Sequence, residues 1–296
     1  DLDELNADDI FLPNATSLRM SNIGYQSPIQ TSLGIRYNSL AGFIESVNKG
    51  IKMPHPDFKD LGLYDDAGNR QQISDGIIQI ENELYDTIRP KRTSSDGLRP
   101  SNALKEYGIE YVEVRGVDIS PDTLGGISKD QMRLIDLFLI HCFVSESPEL
   151  TDEENIQLQK NHTDMVASGQ NNSTMILFKG NMVTSGSAMV DLVNELELLA
   201  KNLDGDNDDY SKALRTITNM ENQSAAILRS VKDNKSFHDV AFEKSMQNTN
   251  ELRQNNSLDL SYLELEKEES LKRFKDIEDN PHKDIEAYVE QYNSQI

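Results

Sequence analysis

The chain changes its hydrophobic character after Gly126, and that change limits what it can fold into. Before it, short stretches alternate apolar and polar residues at every second position. After it, apolar residues recur at the three-to-four spacing of helices almost to the end. Such patterning predicts an α+β protein, strand-rich over about residues 1–127 and helical over about 128–296. Its 296 residues are enough to bury a sizeable core.

Within the first part, residues 1–36 read as loop with short extended pieces. "SLAGFIESVNKGIKMP" predicts a helix with Ser39 as N-cap and a stop near Met53 and Pro54. "DDAGN", Asp65 to Asn69, is a turn signal. From Ile77 onward, Ile78, Ile80, Asn82, Leu84 and Ile88 share one face, and Gln79, Glu81, Glu83, Tyr85 and Thr87 the other, the pattern of a half-buried strand. "IEYVEVRGVDI" predicts a second strand. In the second part, Ser128 with Gln131 and Thr151 with Glu154 read as capping boxes. "LIDLFLIHCFV" is expected to be largely buried. Further helices are expected over 188–203, 208–220, 221–232, 237–254, 258–276 and 282–293, the last of them charged and on the outside.

Charge narrows the function. The chain has 51 acidic residues against 29 Lys and Arg, a net charge of −22. That argues against non-specific nucleic-acid binding and against anionic membranes. No run approaches the ~20 apolar residues of a membrane span, and no signal-peptide pattern opens the chain. The single cysteine, Cys142, excludes an internal disulfide framework and points to a reducing cytoplasm.

Against this acidic background, "IIQIENELYDTIRPKR" places Arg89, Lys91 and Arg92 within four positions, directly after Glu81 and Glu83. The cluster reads either as a solvated patch or as a focused basic spot for a polyanion such as a nucleoside triphosphate. Glu113 and Arg115, two apart on a strand, either pair with each other or divide the work, the carboxylate holding Mg²⁺ and the guanidinium reading a carboxylate or phosphoryl group. Arg19 and Tyr25 lie in the loop "TSLRMSNIGYQS", where an arginine is commonly just surface. Other signals are weaker. His55, His141, His162, His238 and His282 are scattered, and His141 reads as a satisfied core histidine. "DGDNDD" reads as an acidic connector, since a calcium loop needs Gly at its sixth position and a closing Glu where Arg215 stands. Cys142 reads as a small buried hydrophobe.

Three segments taken in order, "LPNATSLRMSNIGYQ", "IQIENELYDTIRPKR" and "GIEYVEVRGVDI", resemble at matching spacing the proteobacterial type of glutamate–cysteine ligase. "LGGISKDQMRLIDLFLIHC" and "AAILRSVKDNKSFHDVAFE" also look like that family, so the resemblance covers essentially the whole chain. It implies part of the antiparallel sheet of the glutamine synthetase-like carboxylate–amine ligase fold, followed by a helical region. It also implies ATP-dependent joining of the glutamate γ-carboxylate to cysteine through a γ-glutamyl phosphate, the first step of glutathione biosynthesis. Mg²⁺ (or Mn²⁺) is the implied metal and ATP the co-substrate. The expected enzyme is a cytoplasmic monomer with small-molecule partners only.

By the same resemblance, Arg19, Tyr25 and Tyr85 belong to the cysteine subsite, Glu113 is a metal ligand, and Arg115 contacts the acyl phosphate region as a catalytic residue. Arg89, Lys91 and Arg92 lie toward the nucleotide. The sequence departs from the family pattern at Asn14, at Ile73–Asp75 and over residues 117–126, none of which is one of those residues. The family begins with a long segment carrying a Glu-x-Glu metal motif, a metal-binding histidine and part of the cysteine pocket. This chain, opening on Asp1, shows none of it, so the resemblance implies a C-terminal portion without ligase activity by itself. Two other readings stay open: a non-catalytic acidic helical binding or regulatory module derived from the ligase, and a carboxylate–amine ligase for another amine.

Overall fold

A computed structural model describes residues 3–4, 9–93, 98–219, 231, 236–254, 260–279 and 284–296. Among them are three two-stranded antiparallel ribbons: β1 (Asp3–Glu4) with β2 (Ile10–Phe11), β3 (Ile88–Lys91) with β4 (Tyr111–Val114), and β5 (Met175–Phe178) with β6 (Asn181–Thr184). The helices are α1 (Pro28–Thr31), α2 (Leu40–Lys52), α3 (Pro56–Leu61), α4 (Pro100–Tyr107), α5 (Lys129–Val144), α6 (Asp152–Ser168), α7 (Ser185–Leu203), α8 (Asp209–Asn219), α9 (Phe237–Gln254), α10 (Ser261–Asp279) and α11 (Ile285–Asn293). The helix expected over 221–232 falls outside the described residues apart from Val231. The α+β class is as expected. Packing divides the chain into two units that cut across the boundary drawn by composition near residue 127: Asp1–Gln26 with Gly116–Arg253, and Ser27–Arg115 with Gln254–Ile296.

The second of these units is built on α2. Ser39 Oγ accepts the N–H of Gly42 at 3.1 Å and starts the helix where the sequence places it. Phe43, Val47 and Ile51, four apart, form one stripe. With Leu33, Ile77, Ile78, Leu84 and Leu104 they make the core. The strand expected from Ile77 to Thr87 is not there. Ile77 and Ile78 are consecutive and both buried, which one face of a strand does not allow. Their N–H groups donate to the carbonyls of Met53 (2.8 Å) and Gly50 (3.2 Å), satisfying the end of α2 instead of a neighbouring strand. Glu81–Glu83 then closes into a 3₁₀ turn, with Glu83 Oε2 accepting the N–H of Gln79 at 2.8 Å. The strand begins only at Ile88, and its partner is confined to Tyr111–Val114.

The other unit packs Leu137 of α5 against Leu196 and Ala200 of α7 and Leu214 of α8. Both capping boxes form as read: Ser128 with Gln131, and Thr151 with Glu154. α5 is less buried than expected. Only its Leu137 is fully buried; Phe143 is 90% exposed, and Cys142 is exposed, not buried as read from the sequence. Apolar residues surround this helix, but one stripe faces α7 and α8. His141 is partly buried, and its Nε2 lies 3.0 Å from the carboxylate of Glu195. The acidic connector has a local task, since the Asp204 carboxylate accepts the N–H groups of Tyr210 (2.7 Å) and Ser211 (3.0 Å) at the start of α8. The β5–β6 hairpin was not expected. Lys179 and Gly180 both have positive φ, 50° and 76°, as a two-residue turn between twisted strands requires. No described helix is long and apolar enough to cross a membrane.

The packing of Leu137 yields a stability test. Leu137→Ala leaves a cavity against α7 and α8, and should lower unfolding stability by roughly 2–5 kcal/mol in urea titrations. A loss under ~1 kcal/mol would mean that α5 does not carry this core.

Candidate active site

The β3–β4 ribbon carries most of the residues singled out above. Its register sets Arg89 opposite Glu113 and Lys91 opposite Tyr111. Arg115 follows β4 two residues after Glu113, and its N–H donates to the carbonyl of Thr87 at 2.7 Å, extending the pairing. Alternation therefore puts Arg89, Lys91, Glu113 and Arg115 on one face, with Ile88, Pro90, Val112 and Val114 on the other.

On that face the main pairing differs from the one the spacing suggested. Glu113 is held by Arg89 across the ladder: Nη2 and Nε of Arg89 donate to Glu113 Oε2 at 2.9 and 3.3 Å. Arg89 is buried. Its Nη1 donates to the carbonyls of Glu81 (3.4 Å), Asn82 (3.2 Å) and Leu84 (3.3 Å). All three nitrogens of the guanidinium thus bond inside the unit, in the fixed fork geometry that suits arginine to such a place. Arg115 Nη1 also donates to the carbonyl of Leu84, at 3.4 Å. That carbonyl immediately precedes Tyr85, whose N–H donates to Gln30 Oε1 at 2.9 Å and whose ring is 39% exposed. Arg92 turns elsewhere: Nε lies 4.0 Å from Glu110 Oε2, and its guanidinium covers the Tyr107 ring at 5.5 Å.

Burial works to raise the Glu113 carboxyl. The hydrogen bond from Arg89 and the charges of Arg89, Lys91 and Arg115 outweigh it, and the group titrates below the usual carboxylate range. Both bonds from Arg89 fall on Oε2, and among the described residues Oε1 accepts no hydrogen bond. Among the described residues, no three His, Cys, Asp or Glu side chains converge on one point. One ionised carboxylate suits magnesium, which commonly takes one or two carboxylates and completes its shell with phosphate oxygens and water.

In the other unit, Arg19 and Tyr25 are brought together. The Arg19 guanidinium lies 4.7 Å from the centre of the Tyr25 ring, and the Tyr25 N–H donates to the Arg19 carbonyl at 2.5 Å. Gly24 permits this close turn; a Cβ there would lie 2.2 Å from the Arg19 carbonyl oxygen. Asp118 is a residue that the sequence reading missed. Its carboxylate accepts from Ser17 Oγ (2.5 Å) and from the N–H groups of Leu18 (3.0 Å) and Arg19 (3.4 Å), so it fixes the loop that carries both. Nothing local in the sequence signals that partnership, which spans about a hundred residues. A hollow of about 470 Å³ over α2, lined by Lys49, Lys52 and Lys105 among others, contains none of the site residues.

Comparison with known proteins points one way. The sequence profile described as glutamate–cysteine ligase matches residues 1–165. The glutamate–cysteine ligase of Pseudomonas putida is 33% identical over 306 aligned positions, taking in 100% of this chain and 58% of that protein. That of Edwardsiella ictaluri is 43% identical over 161 positions, 54% of this chain and 31% of that protein. A crystal structure of the glutamate–cysteine ligase of Francisella tularensis in complex with AMP superimposes with a TM-score of 0.87 at 27% identity, covering 97% of this chain and 59% of that one. The chain thus spans at most about three-fifths of the length of these relatives.

The Glu113 environment yields a pH test. A carboxyl lowered below its ordinary 4.5 in the folded state adds stability above that value and loses it as pH falls through the lowered one. Glu113→Gln should therefore melt below the parent at pH 5–7, by an amount worth ~1 kcal/mol or less for a carboxylate this exposed. The gap should close as acid takes the pH down from 4.5. A gap independent of pH would show that the charge of Glu113 does not matter to the fold.

Proposed function

Because the chain belongs to the glutamate–cysteine ligase family, we propose that it supplies part of a site that joins the γ-carboxylate of glutamate to the amine of cysteine at the expense of ATP. The observation that carries this reading is an ionised carboxylate, Glu113, set among Arg89, Lys91 and Arg115 on one face of the β3–β4 ribbon. Phosphoryl transfer asks for little beyond positioned charge of both signs. The AMP in the Francisella tularensis relative supports an adenine nucleotide as ligand.

In the proposed reaction a γ-carboxylate oxygen of glutamate bonds to the γ-phosphorus of ATP as the bond to ADP breaks. The neutral cysteine amine nitrogen then bonds to the acyl carbon and gives up a proton to solvent or to the departing phosphate, the carbon–oxygen bond to phosphate breaks, and phosphate leaves. Magnesium, when bound, neutralises phosphate charge, and Glu113 is the residue here that would hold it. Arg115 is proposed to face the transferring phosphoryl group and Lys91 the rest of the nucleotide; Arg92, drawn to Glu110 and the Tyr107 ring, would have to leave them to join it. Arg89, with its nitrogens bonded inside the unit, serves the nucleotide end by holding Glu113. Arg19 and Tyr25 are proposed to bind the cysteine substrate, the guanidinium on its carboxylate and the ring against its side chain. Tyr85 is proposed to contribute to substrate binding from its own turn. The net charge of −22 supports small-molecule partners over a nucleic acid, and the lone cysteine supports the cytoplasm as location.

Kinetics on this chain, and on its fusion to the part of the Pseudomonas putida relative that the alignment leaves uncovered, tests the assignment. Arg19→Ala should raise the KM for cysteine roughly tenfold to a hundredfold, the worth of one charged hydrogen bond, and leave the KM for ATP near its parent value. Glu113→Gln should lower kcat by orders of magnitude. Loss of ATP affinity with cysteine affinity intact in Arg19→Ala would remove Arg19 from the cysteine subsite. Near-normal turnover of Glu113→Gln would leave Glu113 as a structural partner of Arg89 only.

A further inference from the structure

Arg99 belongs to none of the motifs above, yet its side chain is only 1% exposed. A guanidinium buried that far keeps its charge and must be answered by its neighbours. Nε donates to Glu81 Oε1 at 3.1 Å, Nη1 donates to the carbonyl of Tyr292 at 3.3 Å, and the plane lies 4.1 Å from the centre of the Tyr292 ring. The Arg99 N–H donates to Gln295 Oε1 at 2.8 Å, so the end of α11 clasps the start of α4. Nη2 is buried without a partner among the described residues. Glu81 is buried as well and uses both carboxylate oxygens. Oε1 also accepts from Ser101 Oγ at 2.6 Å, and Oε2 accepts the Ser101 N–H at 3.2 Å, which caps α4.

The backbone of Glu81 works in the opposite direction. Its carbonyl, with those of Asn82 and Leu84, receives Nη1 of Arg89, and the other edge of Arg89 holds Glu113. One continuous path therefore runs from Tyr292 through Arg99, Glu81, the turn Glu81–Glu83 and Arg89 to Glu113, inside one unit. We propose that Arg99 is a positioning residue of the site: it fixes Glu81, and through the turn it sets the direction in which Arg89 presents Glu113. The inference rests on the reading of Glu113 as the carboxylate that meets magnesium. A residue that merely bolted α11 to the core would leave β3 and β4 unaffected when replaced.

Hydrogen–deuterium exchange on the 296-residue chain separates the two roles, with magnesium-dependent ADP binding measured by calorimetry alongside. Arg99→Met should speed exchange of the Ile88–Lys91 and Tyr111–Val114 amides about tenfold and leave Asp152–Leu203 unchanged. It should raise the magnesium concentration that half-saturates ADP binding by a similar factor. Tyr292→Leu, which keeps the ion pair and removes the ring, should act in the same direction and more weakly. Arg99→Lys should restore most of both readouts. Faster exchange confined to Ile285–Asn293, with β3 and β4 at parent rates, would overturn the proposal. If Arg99→Met unfolds the whole chain, Tyr292→Leu and Arg99→Lys decide it: parent-like exchange of β3 and β4 in Tyr292→Leu overturns it, and a graded rise supports it. A parent chain that takes up no ADP with magnesium would contradict the reading of the site, while the exchange rates still decide the path from Arg99.

Discussion

Arg89 takes a permanent positive charge to a position that is 6% exposed. A guanidinium cannot shed its proton, and an unanswered charge at that depth costs several kcal/mol. Four acceptors answer it: the carbonyls of Glu81, Asn82 and Leu84, and the carboxylate of Glu113. Much of the local architecture follows from that demand. The chain before β3 has to curl so that three carbonyls point at one nitrogen, which a strand cannot do because its carbonyls alternate sides. The curl is the 3₁₀ turn Glu81–Glu83. It brings Leu84 O to both Arg89 and Arg115 and turns Tyr85 outward.

The same demand prepares chemistry. A carboxylate beside Arg89, Lys91 and Arg115 titrates below the usual carboxylate range despite its burial, as would suit a metal ligand. Groups held by a network reorganise little when charge moves, and that is the main way a protein assists phosphoryl transfer. Under the proposed reading the cations divide the work. Arg89 faces inward and holds the carboxylate, while Arg115 and Lys91 serve the nucleotide. The loop of Arg19 and Tyr25 obeys a similar logic with the sign reversed, since there a carboxylate, Asp118, gathers a hydroxyl and two backbone N–H groups and fixes the loop.

What the sequence disclosed was mostly local. Ser39, Ser128 and Thr151 cap helices where their spacing to the first turn says they should, because a cap acts over three residues. The α+β class and the register-defining alternation of β4 were legible for the same reason. The stretch from Ile77 to Thr87 misled because alternating Ile, Gln, Ile and Glu imitates a half-buried strand. The burial of Glu81 depends on Arg99 and Ser101, and nothing within the window reveals such partners. Glu113 was singled out by its motif, but its partner Arg89 was not: Arg115 is near in sequence, whereas Arg89 is opposite in the ladder. The β5–β6 hairpin had a faint signal in Lys179-Gly180 between apolar residues, outweighed by the helices on either side. Cys142 and Phe143 were read as buried from composition, and only the packing of α5 shows which stripe is covered.

The central claim is that the polar face of the β3–β4 ribbon meets a metal-bound nucleotide with Glu113 as the metal ligand. Anomalous scattering from crystals of the chain grown with Mn²⁺ and ADP tests it most directly. The account predicts a manganese peak within coordination distance of the Glu113 carboxylate, phosphate oxygens within hydrogen-bond reach of Arg115, and Arg89 still bonded to Glu81, Asn82 and Leu84. Manganese bound elsewhere, with both Glu113 oxygens taken up by arginines, would contradict it.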